Sequence, residues 1–283
     1  MRRLTIALAS FLLLLSLGSF ALIASETGLQ ALAALAKRLS GERLQMSEVS
    51  GRLLGPIDIG TLRWHGESER IELTQVHLDW HAPALWQKHA QIDALRIKHV
   101  RLEIPSSEQS STLPSSLALP VTVNLEKLQI STLDYNDQGQ LRDISARLRS
   151  DGQQHKISEL SFSTADIKLS AQGEIAVDAP FTLKTEADIQ GQIAERALSL
   201  HVQANGTLAE IQLSVQALAG IEGDAQATLT PFAPQPVREA SIRLRQIDPA
   251  AWHASAPQAR LKLQADLAPE NNGWLARWRI DNP

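Results

Sequence analysis

Residues Gly55–Gly66 read GPIDIGTLRWHG. The large apolar residues fall at Ile57, Ile59, Leu62 and Trp64: two in strand step, one extra residue, then two more in step. Strand side chains alternate faces, so an unmatched extra residue would send the second pair to the wrong side. A β-bulge removes the conflict, because two residues then oppose a single partner, the apolar set keeps one face, and the strand bends. Repeated bends of this kind would curl a sheet into a trough with an apolar inner surface. Ordinary short strands turning a corner in a sandwich give the same spacing.

The rhythm recurs. Ile71 and Leu73 are followed by Val76, Leu78 and Trp80; Leu95 and Ile97 by Val100, Leu102 and Ile104; Leu128 and Ile130 by Leu133 and Tyr135. Later runs alternate plainly, at Leu198/Leu200/Val202, Ile211/Leu213/Val215 and Leu261/Leu263/Ala265/Leu267. Asp137-Gln-Gly139, Asp151-Gly152, Asn205-Gly206 and Asn271-Asn-Gly273 separate runs with hairpin chemistry, since Asn and Gly accept positive φ. The reading is a mainly β chain of about fourteen strands, roughly 65 Å of sheet at ~4.8 Å per strand. Two stretches interrupt it. Ala82–Ala90 (APALWQKHA) reads as a short helix or loop, and Pro105–Pro120 (PSSEQSSTLPSSLALP) as a mobile loop or a boundary in the sheet. A second short helix opens at Asp248, with Pro249 at its first position.

The N-terminus has a different character. After Met1-Arg-Arg, residues Leu4–Ala24 run uncharged for 21 positions, and about 20 helical residues span a bilayer core. Arg2 and Arg3 mark the cytoplasmic side, which leaves the chain beyond residue 25 outside. Ser19-Phe-Ala21 offers a cleavage site, so a removed signal peptide is the competing reading. Both export the body of the protein. Residues 26–42 follow as an amphipathic helix: Leu29, Leu32, Leu35, Ala36 and Leu39 share a face, Lys37 and Arg38 suit its C-terminal end, and Gly41 stops it. Such a helix either caps the open end of the sheet or lies in the membrane interface.

Composition excludes several classes. With 27 Lys and Arg against 31 Asp and Glu and no basic stripe, a nucleic-acid partner is not expected. The absence of cysteine excludes disulfides, thiolate metal sites and cysteine nucleophiles. His77, Asp79 and His81 share one strand face, but residues two apart on a strand stand nearly 7 Å from each other, which is long for one ion. They read as a solvated outer face. His65, His89 and His99 form no helical pair, the Gly51–Gly55 and Gly220–Gly223 pairs lack the lysine of a phosphate loop, and no serine sits in a nucleophile elbow. No catalytic residue, cofactor or metal is expected, and the chain does not read as an enzyme.

One resemblance orders these features. The N-terminal anchor, the short helix, SGRLLGPIDIGTLRW (Ser50–Trp64), ERIELTQVHLDWHAPALWQKHAQIDALRIKHVRLEI (Glu69–Ile104) and LEKLQISTLDY (Leu125–Tyr135) together resemble the N-terminal part of the TamB family of AsmA-like envelope proteins. WLARWRIDNP (Trp274–Pro283) is similar to a family strand cut before its continuation. The resemblance implies an open, curled antiparallel β-groove (taco-like), as in bridge-like lipid transfer proteins. It divides the chain into an anchor at 1–25, a cap helix at 26–42, groove segments at 43–104 and 121–283, and a loop at 105–120.

It also implies a single-pass inner-membrane protein with its bulk in the periplasm. The implied role is moving phospholipid toward the outer membrane and supporting outer-membrane protein assembly. The outer-membrane barrel TamA is the family's partner, through a C-terminal domain that these residues do not include. The groove lining that follows for the first bends is Ile57, Ile59, Leu62, Trp64, Leu78, Trp80, Ile97 and Leu102, each of which also fits a plain core. Two other functions suit the same pattern: a scaffold or chaperone that takes unfolded outer-membrane strands by β-augmentation, and a secreted, closed β-sandwich or solenoid behind a cleaved signal.

Overall fold

The structure, a computed structural model, describes residues 25–66, 69–104, 112–136, 139–193, 196–219, 222–251, 257–270 and 273–282. The apolar run Leu4–Ala24 lies outside them. Among the described residues no helix is long and apolar enough to cross a membrane.

The chain divides into two units. The first holds residues up to Ser106 together with Val121–Ile144, and the second holds Ser107–Pro120 and everything from Ser145. Strands follow one another in chain order throughout. The first unit contains helix α1 (Glu26–Leu39) and strands β1 (Leu44–Gly51), β2 (Ile57–His65), β3 (Arg70–His81), β4 (His89–Glu103) and β5 (Thr122–Tyr135). Strand β6 (Gly139–Ser150) is shared between the units. The second unit continues with β7 (Gln154–Ser163), β8 (Ile167–Ala176), β9 (Thr182–Ile193), β10 (Arg196–Thr207) and β11 (Glu210–Ala219). It ends with β12 (Glu222–Leu229), β13 (Val237–Ile247), β14 (Leu261–Glu270) and β15 (Gly273–Asp281).

Helix α1 starts where its chemistry dictates. The Ser25 hydroxyl accepts from the Gly28 amide at 3.2 Å, Glu26 sits in the first turn, and Lys37 and Arg38 sit in the last. The helix ends before Gly41, whose φ is +61°. It packs on β1, the first strand of the sheet, and Gly28 and Leu29 are its buried residues.

The skip in the apolar rhythm is not a bulge. In the β1–β2 pair Ser47 lies opposite Thr61 and Val49 opposite Ile59, so Glu48 and Gly60 drop out of the ladder together. Across β2–β3 the register passes from Thr61–Thr74 to Ile59–Val76 without a shift, leaving out Gly60 and Gln75. Across β3–β4 it passes from Thr74–His99 to Val76–Ile97, leaving out Gln75 and Lys98. The β4–β5 ladder then omits Lys98 and Ser131. Every strand therefore carries its extra residue at one level, and the five extras form a transverse crease. Glu48 and Gln75 take left-handed conformations there, with φ of 55° and 51°. A matched extra residue keeps the register and the face, which one bulge in one strand cannot do for its neighbours. A bulge does occur in β4, where Asp79 opposes Ala94 but Trp80 opposes Ile92, leaving Asp93 extra.

The expectation of an antiparallel sheet also needs one correction. Strands β4 and β5 are parallel, from His89–Thr122 to Leu102–Tyr135. A parallel pair needs a crossover rather than a hairpin, and the Ser/Pro-rich stretch supplies it. Residues 105–111 fall outside the described set. Residues 112–120 belong to the second unit, where the Leu117 amide donates to the Val177 carbonyl at 3.0 Å and His155 Nε2 lies 2.8 Å from the Leu117 carbonyl.

In the second unit the apolar face is continuous. Leu160, Ala171, Ala187, Val202, Val215, Ala225, Ile242, Ala265 and Trp278 lie opposite one another, strand by strand, from β7 to β15. The row beside it, on the other face, runs Ser161, Ser170, Asp188, His201, Gln216, Asp224, Arg243, Gln264 and Arg279. True bulges interrupt the registers at Ile157/Leu160, Ser199/Leu200, Thr228/Leu229 and Leu244/Ile247. Phe181, Val177 and Ser150 are its most buried side chains.

Asn205-Gly206 is not the β10–β11 turn. Both residues pair with β11, at Gln212 and Ile211, and the turn falls at Leu208–Ala209 with the Thr207 hydroxyl accepting from the Glu210 amide. Gly206 serves a close approach instead: its φ is +130°, and a Cβ there would meet the Glu210 carbonyl oxygen at 2.5 Å. The short helices at Ala82–Gln87 and Pro249–Ala251 are 3-10 turns. The second has Asp248 Oδ1 accepting from the Ala250 amide at 3.1 Å.

Candidate functional site

In the first unit the crease organises one apolar face. On one side of it lie the cross-strand rows Val49–Ile59–Val76–Ile97–Ile130 and Ile57–Leu78–Leu95–Leu128. On the other side lie Met46–Leu62–Leu73–Val100–Leu133 and Leu44–Trp64–Ile71–Leu102–Tyr135. A fifth row, Trp80–Ile92–Leu125, follows the β4 bulge. All eight residues expected to line a groove thus occupy one face.

They differ in accessibility. Val76, Ile97 and Val100 are buried, and Ile59, Leu73, Leu95, Leu102, Ile130 and Leu133 pack against them along the crease. Ile57 is buried as well. Leu62, Trp64, Leu78 and Trp80 are half-buried, and the Trp80 indole Nε1 has no hydrogen-bond partner. Among the described residues no second sheet packs on this face: β2–β5 meet their neighbouring strands and the 3-10 turn, and α1 meets β1. A flat single layer would leave Val76, Ile97 and Val100 open to water. They are buried to 5–7% exposure, with Ile59, Leu73, Leu95, Leu102, Ile130 and Leu133 from both sides of the crease packed against them. The crease is a filled seam, and the accessible apolar surface lies on its two flanks. Among the described residues neither unit forms a closed sandwich, one of the arrangements compatible with the sequence.

The opposite face is polar and cross-linked between strands. His77 Nδ1 lies 2.7 Å from Asp58 Oδ1, and His99 Nε2 lies 2.8 Å from Asp134 Oδ2. Arg63 donates to Glu72 at 3.1 Å and holds that carboxyl below its ordinary range. Hydrogen bonds from Gln140 and then His99 do the same for Asp134. His77, Asp79 and His81 stand on this solvated face as expected; His81 leans toward Asp93 at 3.6 Å. Among the described residues no group of three His, Asp or Glu side chains is placed to hold a metal. The first unit has an open hollow with a mainly polar lining, and the second unit has one with a mixed lining that includes Leu213, Leu267 and Leu275. The first, of about 420 Å³, is lined by Gln45, Arg63, His65, Arg70, Glu72, Arg101 and Glu103 with Ile71. The second, of about 710 Å³, is also bordered by Gln212, Gln226, Thr228, Glu239, Asp266 and Arg277, among others. Sequence reading missed both hollows; the signal for their polar lining is the polar half of each strand's alternation.

The arrangement defines a class: within each unit the described strands form an open β-sheet with an apolar face and a polar face. Residues 13–140 match the family model "TamB, N-terminal domain". That stretch contains α1 and β1–β5, so the chain resembles the N-terminal part of TamB over the whole of the candidate face. No curated protein and no solved structure matches the chain.

Proposed function

We propose that the chain is a TamB-type component of a translocation and assembly module, a transport and assembly protein rather than an enzyme. In this reading Leu4–Ala24 anchors it in the bacterial inner membrane and the strands stand in the periplasm. The apolar face shelters phospholipid acyl chains on their way toward the outer membrane and so supports outer-membrane protein assembly. TamA is the family's partner and is carried over here from the resemblance alone.

The observation that carries the reading is the set of unbroken cross-strand apolar rows, over which no second layer lies among the described residues. Moving a lipid tail into water costs about 0.8 kcal/mol per CH₂, or roughly 12 kcal/mol for a sixteen-carbon chain. A continuous greasy surface removes most of that barrier while the headgroup stays solvated. Leu62, Trp64, Leu78, Trp80 and Leu102 would meet the tail, and Ile57, Ile59 and Ile97 would form the seam beneath it. An aliphatic surface with few aromatics gives contact without selectivity, which suits a diffusing cargo.

The test is mass spectrometry of phospholipid that co-purifies with the full chain and with Leu102→Arg. Leu102 is half-buried and packs at the margin of the seam, so arginine there puts a charge where a tail would lie, and a thermal melt establishes that the variant is folded. Lipid bound to the wild type and lost from a folded Leu102→Arg supports the reading. Equal lipid on both sinks it.

A further inference from the structure

Helix α1 carries more apolar surface than the sheet covers. Leu29 is buried, and Ala33 and Ala36 are half-buried. Leu32, Leu35 and Leu39, spaced by three and four, are exposed at 42%, 49% and 79%. Those spacings place the three leucines on one stripe of the helix. Three exposed leucines on a fourteen-residue helix need a partner, and the chain indicates which. The uncharged run Leu4–Ala24 ends one residue before Ser25, the N-cap of α1. If that run lies in a bilayer, as the proposed function holds, α1 emerges at the lipid surface with no linker to carry it away.

We infer that α1 is a two-sided interfacial helix: it packs on β1 and lays its Leu32–Leu35–Leu39 stripe into the membrane surface. The occupant of the stripe is the lipid bilayer. Lys37 and Arg38, both exposed in the last turn, suit its anionic headgroups. A helix held this way would fix the first strands of the sheet directly above the membrane. The inference rests on the membrane-anchored reading, and the experiment below separates the two.

The chain has no cysteine, so single cysteines can carry a polarity-sensitive dye without a background variant. The labels go at Leu32→Cys, Leu35→Cys and Leu39→Cys, at Ala34→Cys on another side of α1, and at Leu13→Cys within the apolar run. The full chain is reconstituted in vesicles of three parts zwitterionic to one part anionic phospholipid, with nitroxide quenchers placed shallow or deep. The account predicts roughly threefold brighter emission at the three leucine positions than at Ala34, with quenching by the shallow nitroxide, as for a helix lying in the interface. Leu13 should be quenched by the deep one. Water-like emission at the three leucines with deep quenching at Leu13 overturns the inference and leaves the anchor standing. Water-like emission at Leu13 overturns both. Equal quenching at Ala34 and the leucines means a helix immersed on all sides and also overturns it.

Discussion

Glu48 lies across the bare Cα of Gly60, opposite it in the β1–β2 pair. A Cβ built on Gly60 would stand 2.8 Å from the Glu48 Cβ and would strike the Glu48 carboxylate as well. The crease begins at this contact, where one strand turns left-handed at Glu48 and the next answers with a residue that has no side chain. Gly60→Val should therefore destabilise the first unit by about 1–3 kcal/mol through overpacking. The same change at Gly139, where a Cβ meets nothing within 4 Å, should be near neutral. Urea unfolding of the two variants checks this; equal midpoints would mean that the crease tolerates a side chain and that its geometry has another cause.

Phe181 is fully buried at the end of the β8–β9 return, directly before β9, and its carbonyl accepts from the Leu208 amide at 3.1 Å. Removing its ring leaves a cavity in a unit that otherwise has few buried side chains. Phe181→Ala should cost about 3–5 kcal/mol. Amide exchange should show the loss in β7–β11 while β1–β5 keep their protection. Uniform loss across the chain would mean that the two units unfold as one.

Asp151 holds the β6–β7 turn, accepting from the Gln153 and Gln154 amides at 2.9 Å each. Those hydrogen bonds lower its carboxyl from the ordinary 3.8. A depressed carboxylate contributes stability that is fully present above the ordinary value and is lost as pH falls through the lower folded value. Asp151→Asn should thus be less stable than wild type at neutral pH, with the gap narrowing once pH drops below about 3.8. Thermal melts of both proteins across that window measure it, and a gap that widens on acidification contradicts the assignment.

Much of this fold is legible in the residues. The alternation at Ile211/Leu213/Val215 and Leu261/Leu263/Ala265/Leu267 dictates two-faced strands, and the h-x-h-x-x-h-x-h rhythm of Ile57–Trp64 dictates a break that preserves the face. The nature of the break is not legible in one strand. A bulge and a crease differ only in whether the neighbours carry matching extras, and that depends on registers such as Thr74–His99, set across strands. The Asn205-Gly206 reading failed for a related reason: glycine marks positive φ, yet a close backbone approach inside a strand requires it as much as a turn does. The parallel β4–β5 pair was hidden because a Ser/Pro-rich link has no periodicity to show which way it leads. That the eight expected lining residues share one face was legible in the pattern, but their partition into the buried Ile57 and Ile97 and the half-buried Leu62, Leu78 and Leu102 was not.

The central claim is that the flanks of the crease carry lipid. Photoreactive side chains placed at Leu62, Leu78 and Leu102, and at Arg96 and Gln129 on the opposite face, test it in growing cells. The account predicts phospholipid adducts at the first three positions and none at the last two. Adducts on neither face, or equally on both, would contradict it.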